Sequence, residues 1–533
     1  MIVRMVQSFL MGEKNKIIIW VSVNILLFIL PLCVVVLSNS DDAVFVSTFS
    51  GANSTMVHSE MVYFGNIWGY MISQLYKLAP TIEWYSWIQH ILLIISFNVY
   101  WWFVSARIED KVLKTFAAVV LSLLCIYSIL AMQYTATAFY ISLASLFIIY
   151  DVITLRRLVL SSILFFIATQ YRTSGALMPI MIIAPIFILS NYHGIKALKC
   201  KGAFLLLLSV ITAFTTLLNY QSEHKDKEWS HYTEFTYSRA YINDNPSCLK
   251  GFDVIKDSIK KKEYELICNY FLYDGNIISI EELRQIGSYL KGFVLENVKT
   301  NLHPYFRFYW RMGILFLLLV IIMGLLKTNK RKCMYFLFIS TILLFIAANM
   351  YMMSRSIAKE RVLLPAYLSL CVATILITKD YCIGFKFQKC VAYSVILLLG
   401  TVFIIKDIDR YRYNKGVAEL AKETETILQQ NSYPRVHIHI GVAVDVDAFN
   451  MSNNIIYKSM VDCGWTINSP YVREFYKGFT SYIDDNLPML INKRNMNRIE
   501  DIVYILKHHY GIESHYLIND ESKNYYIIQL VRD

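Results

Sequence analysis

A mainly α-helical, polytopic membrane protein with a small α/β domain at its C-terminal end is the fold class this sequence predicts, on three observations. Of its 533 residues, 56% are hydrophobic and the mean hydropathy is +0.43, where soluble globular chains are about 45–50% apolar. The excess is gathered into long runs such as 17–38 and 203–218, and roughly 20 apolar residues suffice to cross a bilayer core as helix. Short clusters of Lys and Arg separate the runs. In lipid every backbone polar group must be bonded within its own segment, so each run is expected to be helical.

About eleven spans follow from this spacing, over 17–38, 87–104, 115–132, 139–155, 158–171, 175–190, 203–219, 312–326, 333–350, 362–378 and 391–405. No signal-peptide cleavage pattern precedes the first run, which is expected to remain as a span. The run 158–171 is short, and is expected to tilt or to pair tightly with 175–190.

Orientation follows from the basic residues. One set of helix ends carries Arg4, Lys14 and Lys16, then Arg107, Lys111 and Lys114, then Arg156 and Arg157. It continues with Lys196, Lys199 and Lys201, with Lys327, Lys330, Arg331 and Lys332, and with Lys379, Lys386 and Lys389. The short loops of the opposite side hold only Lys77, Arg172, Arg355, Lys359 and Arg361. By the positive-inside rule the N-terminus is expected in the cytoplasm, and an odd number of spans puts the C-terminal region outside. The net charge of +11 is thus spent on orientation, and a nucleic-acid partner is excluded.

Three outer regions are large. Loop 39–86 is rich in aromatics, and 62–78 is expected to lie as a helix at the interface. Loop 220–311 is polar and expected to be mostly helical, for example over 279–299. The tail starts with a helix near 414–430 and then shows strand-like segments over 435–441 and 524–531. The domains are therefore expected to be a membrane module over 1–405 and an extracytoplasmic α/β domain over 406–533. Most of the ten cysteines lie in spans or beside basic loops, as small apolar filler. Cys248 and Cys268 share loop 220–311, where an oxidising compartment permits a disulfide. The sequence leaves that bond open.

Four groups of residues are placed to carry chemistry. Asp41 and Asp42 follow the first span in Asn39-Ser40-Asp41-Asp42. Two carboxylates at the outer surface suit a base and its neighbour, and they equally suit a helix cap. Arg172, Arg355, Lys359 and Arg361 run against the orientation bias. Cations near lipid tend to be functional, and guanidinium groups grip phosphate in a forked geometry. Snorkelling to headgroups or pairing with Glu360 is the plainer alternative. Trp229, Tyr232, Phe235, Tyr237, Arg239 and Asp244 gather in the second outer loop, as a sugar-binding platform or as a membrane seat. His58 and Glu60 in the first loop are weaker candidates for an acceptor or loop site. His437 and His439 share one face of a strand, and with no third ligand at useful spacing a structural role is favoured. No P-loop, dinucleotide glycine fingerprint or zinc-hydrolase helix motif occurs, so nucleotide-powered chemistry is unsupported.

The order of these features resembles the bacterial GT-C superfamily of polytopic glycosyltransferases, in particular the membrane proteins of surface-polysaccharide gene clusters. The residues that carry the resemblance are Ser38-Asn39-Ser40-Asp41-Asp42, Ser50-Gly51, Leu75-Tyr76-Lys77-Leu78-Ala79-Pro80 and Trp84-Tyr85. They continue with Ser238-Arg239-Ala240, Asp244 and Glu360-Arg361-Val362-Leu363-Leu364-Pro365. The resemblance spans roughly 15–400. It implies a sugar donor carried on a polyprenyl phosphate, inversion at the transferred carbon, and an acidic residue of the first outer loop as general base. Asp41 and Asp42 both match that position, because Asn39-Ser40 precedes the pair where many relatives carry Asn directly. The phosphate-binding role falls to Arg172, Arg355, Lys359 or Arg361. Some GT-C enzymes use a divalent cation at the acidic motif; no extra ligand set is visible here, and the metal stays unassigned. The expected function is transfer of a sugar to a lipid-linked or surface glycan, such as O-antigen, at the periplasmic face of the inner membrane. An O-antigen polymerase, relying on arginines in place of an acidic base, and a non-catalytic flippase of lipid-linked saccharide are the alternatives.

Overall fold

A computed structural model of the chain describes residues 13–30, 35, 37, 40–51, 56–150, 152–189, 195–269, 276–307, 326–327, 331–356, 359–378, 382–383, 386–430, 433, 435–438, 442, 449, 460–461, 466, 468–473 and 476–533. The protein is a polytopic helical membrane protein with a small α/β unit at its C-terminal end. Among the described residues five helices are long and apolar enough to cross a membrane, over Trp84–Arg107, Lys111–Leu130, Leu155–Leu189, Leu198–Glu223 and Tyr335–Arg355. Tyr134–Ile149 is apolar but shorter.

Helix α1 (Glu13–Ile29) falls short of the expected 17–38: residue 30 closes it, and residues 35 and 37 are not helical. Pro31, next in the sequence, has no N–H with which to continue the helical ladder. Helix α2 (Ser40–Ser50) then carries the aspartate pair in its first turn. Helix α3 (Asn66–Leu78) forms within the expected 62–78, starting four residues later. The next three helices each start on a side-chain cap. Glu83 accepts from Ser86 at the head of α4 (Trp84–Arg107), Asp110 from Val112 and Leu113 at α5 (Lys111–Leu130), and Gln133 from Ala136 at α6 (Tyr134–Ile149). Helix α6 thus starts five residues before the expected 139.

Helix α7 (Leu155–Leu189) has non-helical backbone at Arg172, and its contacts show a reversal there. Ser161 donates to the carbonyl of Ser145, while Ser142 donates to the carbonyl of Ala176. In one straight helix Ser161 and Ala176 would stand about 22 Å apart, whereas Ser142 and Ser145 are a single turn apart. The arms before and after Arg172 therefore correspond to the two expected runs 158–171 and 175–190, both packed on α6. Helix α8 (Ile195–Glu223) follows, with the Lys201 ammonium donating to the carbonyl of Phe187 at the basic-rich end.

Beyond α8, the polar region folds as α9 (Lys227–Asn243), α10 (Ser258–Cys268) and α11 (Ile280–Leu290). A capping box between Ser279 and Glu282 starts α11, and helix resumes over 294–307. The expected span 312–326 lies outside the described residues, apart from Leu326. That residue opens β1 (Leu326–Lys327), which pairs antiparallel with β2 (Cys382–Ile383). Helices α12 (Arg331–Arg355) and α13 (Glu360–Thr378) come between them. Helix α14 (Lys386–Gln430) then runs 45 residues without a break at 405. Asn414 donates 2.8 Å to the carbonyl of Leu130, so α14 passes the C-terminal end of α5 and carries the chain into the tail.

The tail forms a five-stranded sheet in the order β4-β3-β5-β7-β6. Strand β3 (Val436–Ile438) is parallel to β4 (Met460–Val461) and β5 (Met489–Asn492). Strands β6 (Ser514–Glu521) and β7 (Tyr525–Arg532) form an antiparallel hairpin joined to β5 through β7. A short helix, α15 (Ser481–Asp484), and α16 (Asn497–Tyr510) flank the sheet. One continuous set of buried side chains runs from Val23 in α1 to Leu530 in β7. The tail sits on the segments 39–86 and 220–311: Tyr471 donates to the Met61 sulfur, Asn276 donates to the carbonyl of Lys477, and Lys262 pairs with Asp501 at 2.7 Å.

Candidate functional site

Helix α2 presents its two carboxylates very differently. Asp42 is fully buried, and its Oδ1 accepts from the Tyr85 hydroxyl at 2.7 Å and from the Tyr134 backbone N–H at 3.0 Å. Burial pushes its pKa up to about 8, and the neighbouring Asp41 charge pushes the same way against the Tyr85 bond. Asp42 is then largely protonated at neutral pH. Asp41 stays partly exposed, with its Oδ2 2.8 Å from Arg361 Nη1 and 3.4 Å from the Tyr134 hydroxyl.

Arg172 joins the same group. It stands at the reversal between the two arms of α7, donates to the Tyr134 hydroxyl at 3.3 Å, and lies over the rings of Tyr63 at 4.7 Å and Tyr134 at 5.6 Å. That position requires the turn to approach the segment 56–65 closely. Gly65 donates to the carbonyl of Gln170, and a Cβ on Gly65 would fall 2.6 Å from Gln170 Cα. Lys359, just before α13, places its ammonium 2.7 Å from each oxygen of Asp244, the residue that closes α9. With Asp42 neutral, Asp41, Arg361 and Arg172 carry one carboxylate against two guanidinium groups, a surplus of one positive charge. Such an arrangement receives an anion and places a carboxylate beside it.

The structure thus brings together Asp41, Asp42, Arg172 and Arg361, with Lys359 and Asp244 as a second pair. Arg355 is exposed at the end of α12, its guanidinium 5.7 Å from the Tyr351 ring. Trp229, Tyr232 and Phe235 are buried in the core, so they seat the loop; Tyr237 is exposed and donates to Glu223. Arg239 is buried on the same helix, α9. His58 stacks on Tyr471, and Glu60 pairs with Lys225 at 2.9 Å. His58 therefore faces the contact with the tail, and Glu60 faces the turn between α8 and α9. His437 is buried and bonded to the Tyr482 hydroxyl, a structural setting; His439 lies outside the described residues. Among the described residues no group of three or more His, Cys, Asp or Glu side chains is gathered as a metal site would need. Sequence reasoning missed Tyr134, which bonds Asp42 through its N–H and both Asp41 and Arg172 through its hydroxyl. No local pattern marks it, because its partners come from two helices, α2 and α7, each far from it in the chain.

Asp42 yields a stability prediction. Below pH 3.8 both folded and unfolded states hold its proton; between 3.8 and about 8 mainly the folded state does. Stability should therefore fall as pH rises through that window. Asp42→Asn keeps the uncharged shape, so the fall in Tm of detergent-solubilised protein between pH 5 and pH 9 should be several degrees smaller than in the wild type. Equal slopes in the two proteins would refute a buried, protonated Asp42.

No protein-family profile matches the sequence, and no curated protein does. Among solved structures, that of ArnT from Cupriavidus metallidurans bound to undecaprenyl phosphate aligns with 97% of this chain and 98% of its own, at 11% identity and a TM-score of 0.40. At that level of likeness the case for any activity rests on the site's own residues.

Proposed function

We propose that the protein is a GT-C-type inverting glycosyltransferase of the bacterial inner membrane, moving a sugar from a polyprenyl-phosphate donor to a lipid-linked or surface glycan at the periplasmic face. The observation that carries this reading is the hydrogen-bonded chain from Asp41 to Arg361 and, through Tyr134, to Arg172. It is the pairing of one base with two phosphate-binding cations that such a transfer needs. In this reading the N-terminus is cytoplasmic, and loops 39–86 and 220–311 and the domain 406–533 are periplasmic.

The donor phosphate draws Arg361 away from Asp41, so that binding of the donor frees the base. An acceptor hydroxyl gives its proton to Asp41 as its oxygen attacks the anomeric carbon. The bond from that carbon to the phosphate oxygen breaks, and the polyprenyl phosphate leaves with its charge held by Arg361 and Arg172. Asp42 holds the start of α2 against α4 and α6. Lys359 and Asp244 flank the site, positioned for sugar hydroxyls. A polymerase would use the arginines without a base, and the contact between Asp41 and Arg361 favours transfer.

The test is release of free polyprenyl phosphate by the purified protein in lipid nanodiscs, supplied with lipid-linked sugars and glycan acceptors extracted from its host. Release that depends on acceptor and stops in Asp41→Asn supports the proposal. Growth of glycan chains with polyprenyl diphosphate as the product would identify a polymerase instead.

A further inference from the structure

We infer that Cys248 and Cys268 are the site of an intramolecular disulfide that fastens the second outer loop beside the proposed active site. Two elements bring these thiols together. Cys248 opens the 3-10 turn Cys248–Asp253, four residues after Asp244, and Cys268 is the last residue of α10. Both are free thiols, and Cys268 stands one helical turn after Tyr264 on α10. Tyr264 keeps the two elements in register: its hydroxyl donates 2.5 Å to the carbonyl of Cys248. Gly251 leaves room for that ring, since a Cβ there would lie 2.2 Å from the Tyr264 hydroxyl oxygen.

The turn is also tied to the basic residues of the site. Ser247 donates 2.6 Å to Asn297, whose amide donates to the carbonyl of Ser354. Asn301 donates to the carbonyls of Met353 and Ser356. Asp244 on one side of this network and Lys359 on the other form the ion pair described above. Fixing Cys248 to α10 therefore restrains the chain that presents Lys359 and Arg361.

The reaction needs a disulfide-bonded dithiol oxidoreductase of the extracytoplasmic compartment as oxidant. Only a thiolate attacks, so the exchange starts when one thiol of the pair, here Cys248, loses its proton. Its thiolate displaces one sulfur of the oxidant's disulfide and forms a mixed disulfide. Cys268 loses its proton and attacks the Cys248 sulfur, expelling the oxidant's second thiolate. The two cysteines lose two electrons and two protons, and the oxidant becomes a dithiol.

The inference rests on the reading that loop 220–311 faces the oxidising side of the membrane. Membranes quenched with N-ethylmaleimide and digested without reductant should give a cross-linked peptide containing Cys248 and Cys268, lost on reduction. Reduction should also lower the Tm of the wild type by several degrees and leave that of the Cys248→Ser/Cys268→Ser double variant unchanged. Maleimide adducts on both cysteines of the unreduced wild type would overturn it. In that event, Cys268→Ser treated as intact cells with a membrane-impermeant maleimide tells the causes apart. Labelling of Cys248 leaves the loop outside and rejects the disulfide alone; absence of labelling rejects the orientation with it.

Discussion

Replacing Asp41 by asparagine is expected to lower kcat about 10²- to 10⁴-fold, the usual contribution of a positioned general base, with little change in KM for the lipid-linked donor. Asparagine keeps the size of the side chain and its contact with the Tyr134 hydroxyl, but it cannot take the acceptor's proton. It also releases Arg361 from its 2.8 Å ion pair, so donor binding should hold or tighten while the chemical step fails. That split is the diagnostic feature, since loss of ground-state binding would raise KM with kcat preserved. Folding should survive. Both members of the pair are partly exposed, at 26% for Arg361 and 17% for Asp41, and such pairs are worth about 0–1 kcal/mol. Asp41→Glu should retain part of the rate. A kcat for Asp41→Asn within a few-fold of the wild type would remove Asp41 as the base.

The contrast between the two aspartates shows where sequence reading stops. Their position after the first span was visible, and so was the presence of cations on the same side, because both are facts of order along the chain. Hydropathy also separated 158–171 from 175–190, and the reversal at Arg172 agrees. That Asp42 holds its proton is decided by burial, which exists only after α4 and α6 have packed on α2. The same holds for Trp229, Tyr232 and Phe235: an aromatic cluster reads alike whether it faces a sugar or the core, and only the packing of α9 shows that it is buried. The unbroken 45-residue α14 was hidden for another reason. Its polar half, 406–430, looks like a new domain by composition, yet helix continues wherever no Pro or Gly cap stops it. Strand β6 was hidden because its exposed residues, such as Tyr516, Leu517 and Ile518, show no clean alternation of apolar and polar.

Arg361 carries the second large effect. Arg361→Ala should lower kcat/KM for the lipid-linked donor about 10²- to 10³-fold, the cost of losing one preorganised donor to developing charge. Unlike the Asp41 variant, it should also raise KM, because the phosphate is present in the ground state as well as in the transition state. Arg361→Lys keeps the charge but loses the planar fork, so it should fall between the two. Added guanidinium should restore part of the rate to Arg361→Ala and none to Asp41→Asn, since the small cation replaces a phosphate partner and cannot act as a base. Arg172 provides the internal control. Its hydrogen-bonded route to Asp41 runs through the Tyr134 hydroxyl, so Tyr134→Phe should weaken the effect of Arg172→Ala while leaving that of Arg361→Ala intact. If Arg361→Ala keeps the wild-type KM and gains nothing from guanidinium, the phosphate is held elsewhere, and the contact between Arg361 and Asp41 serves only to anchor α13 to α2.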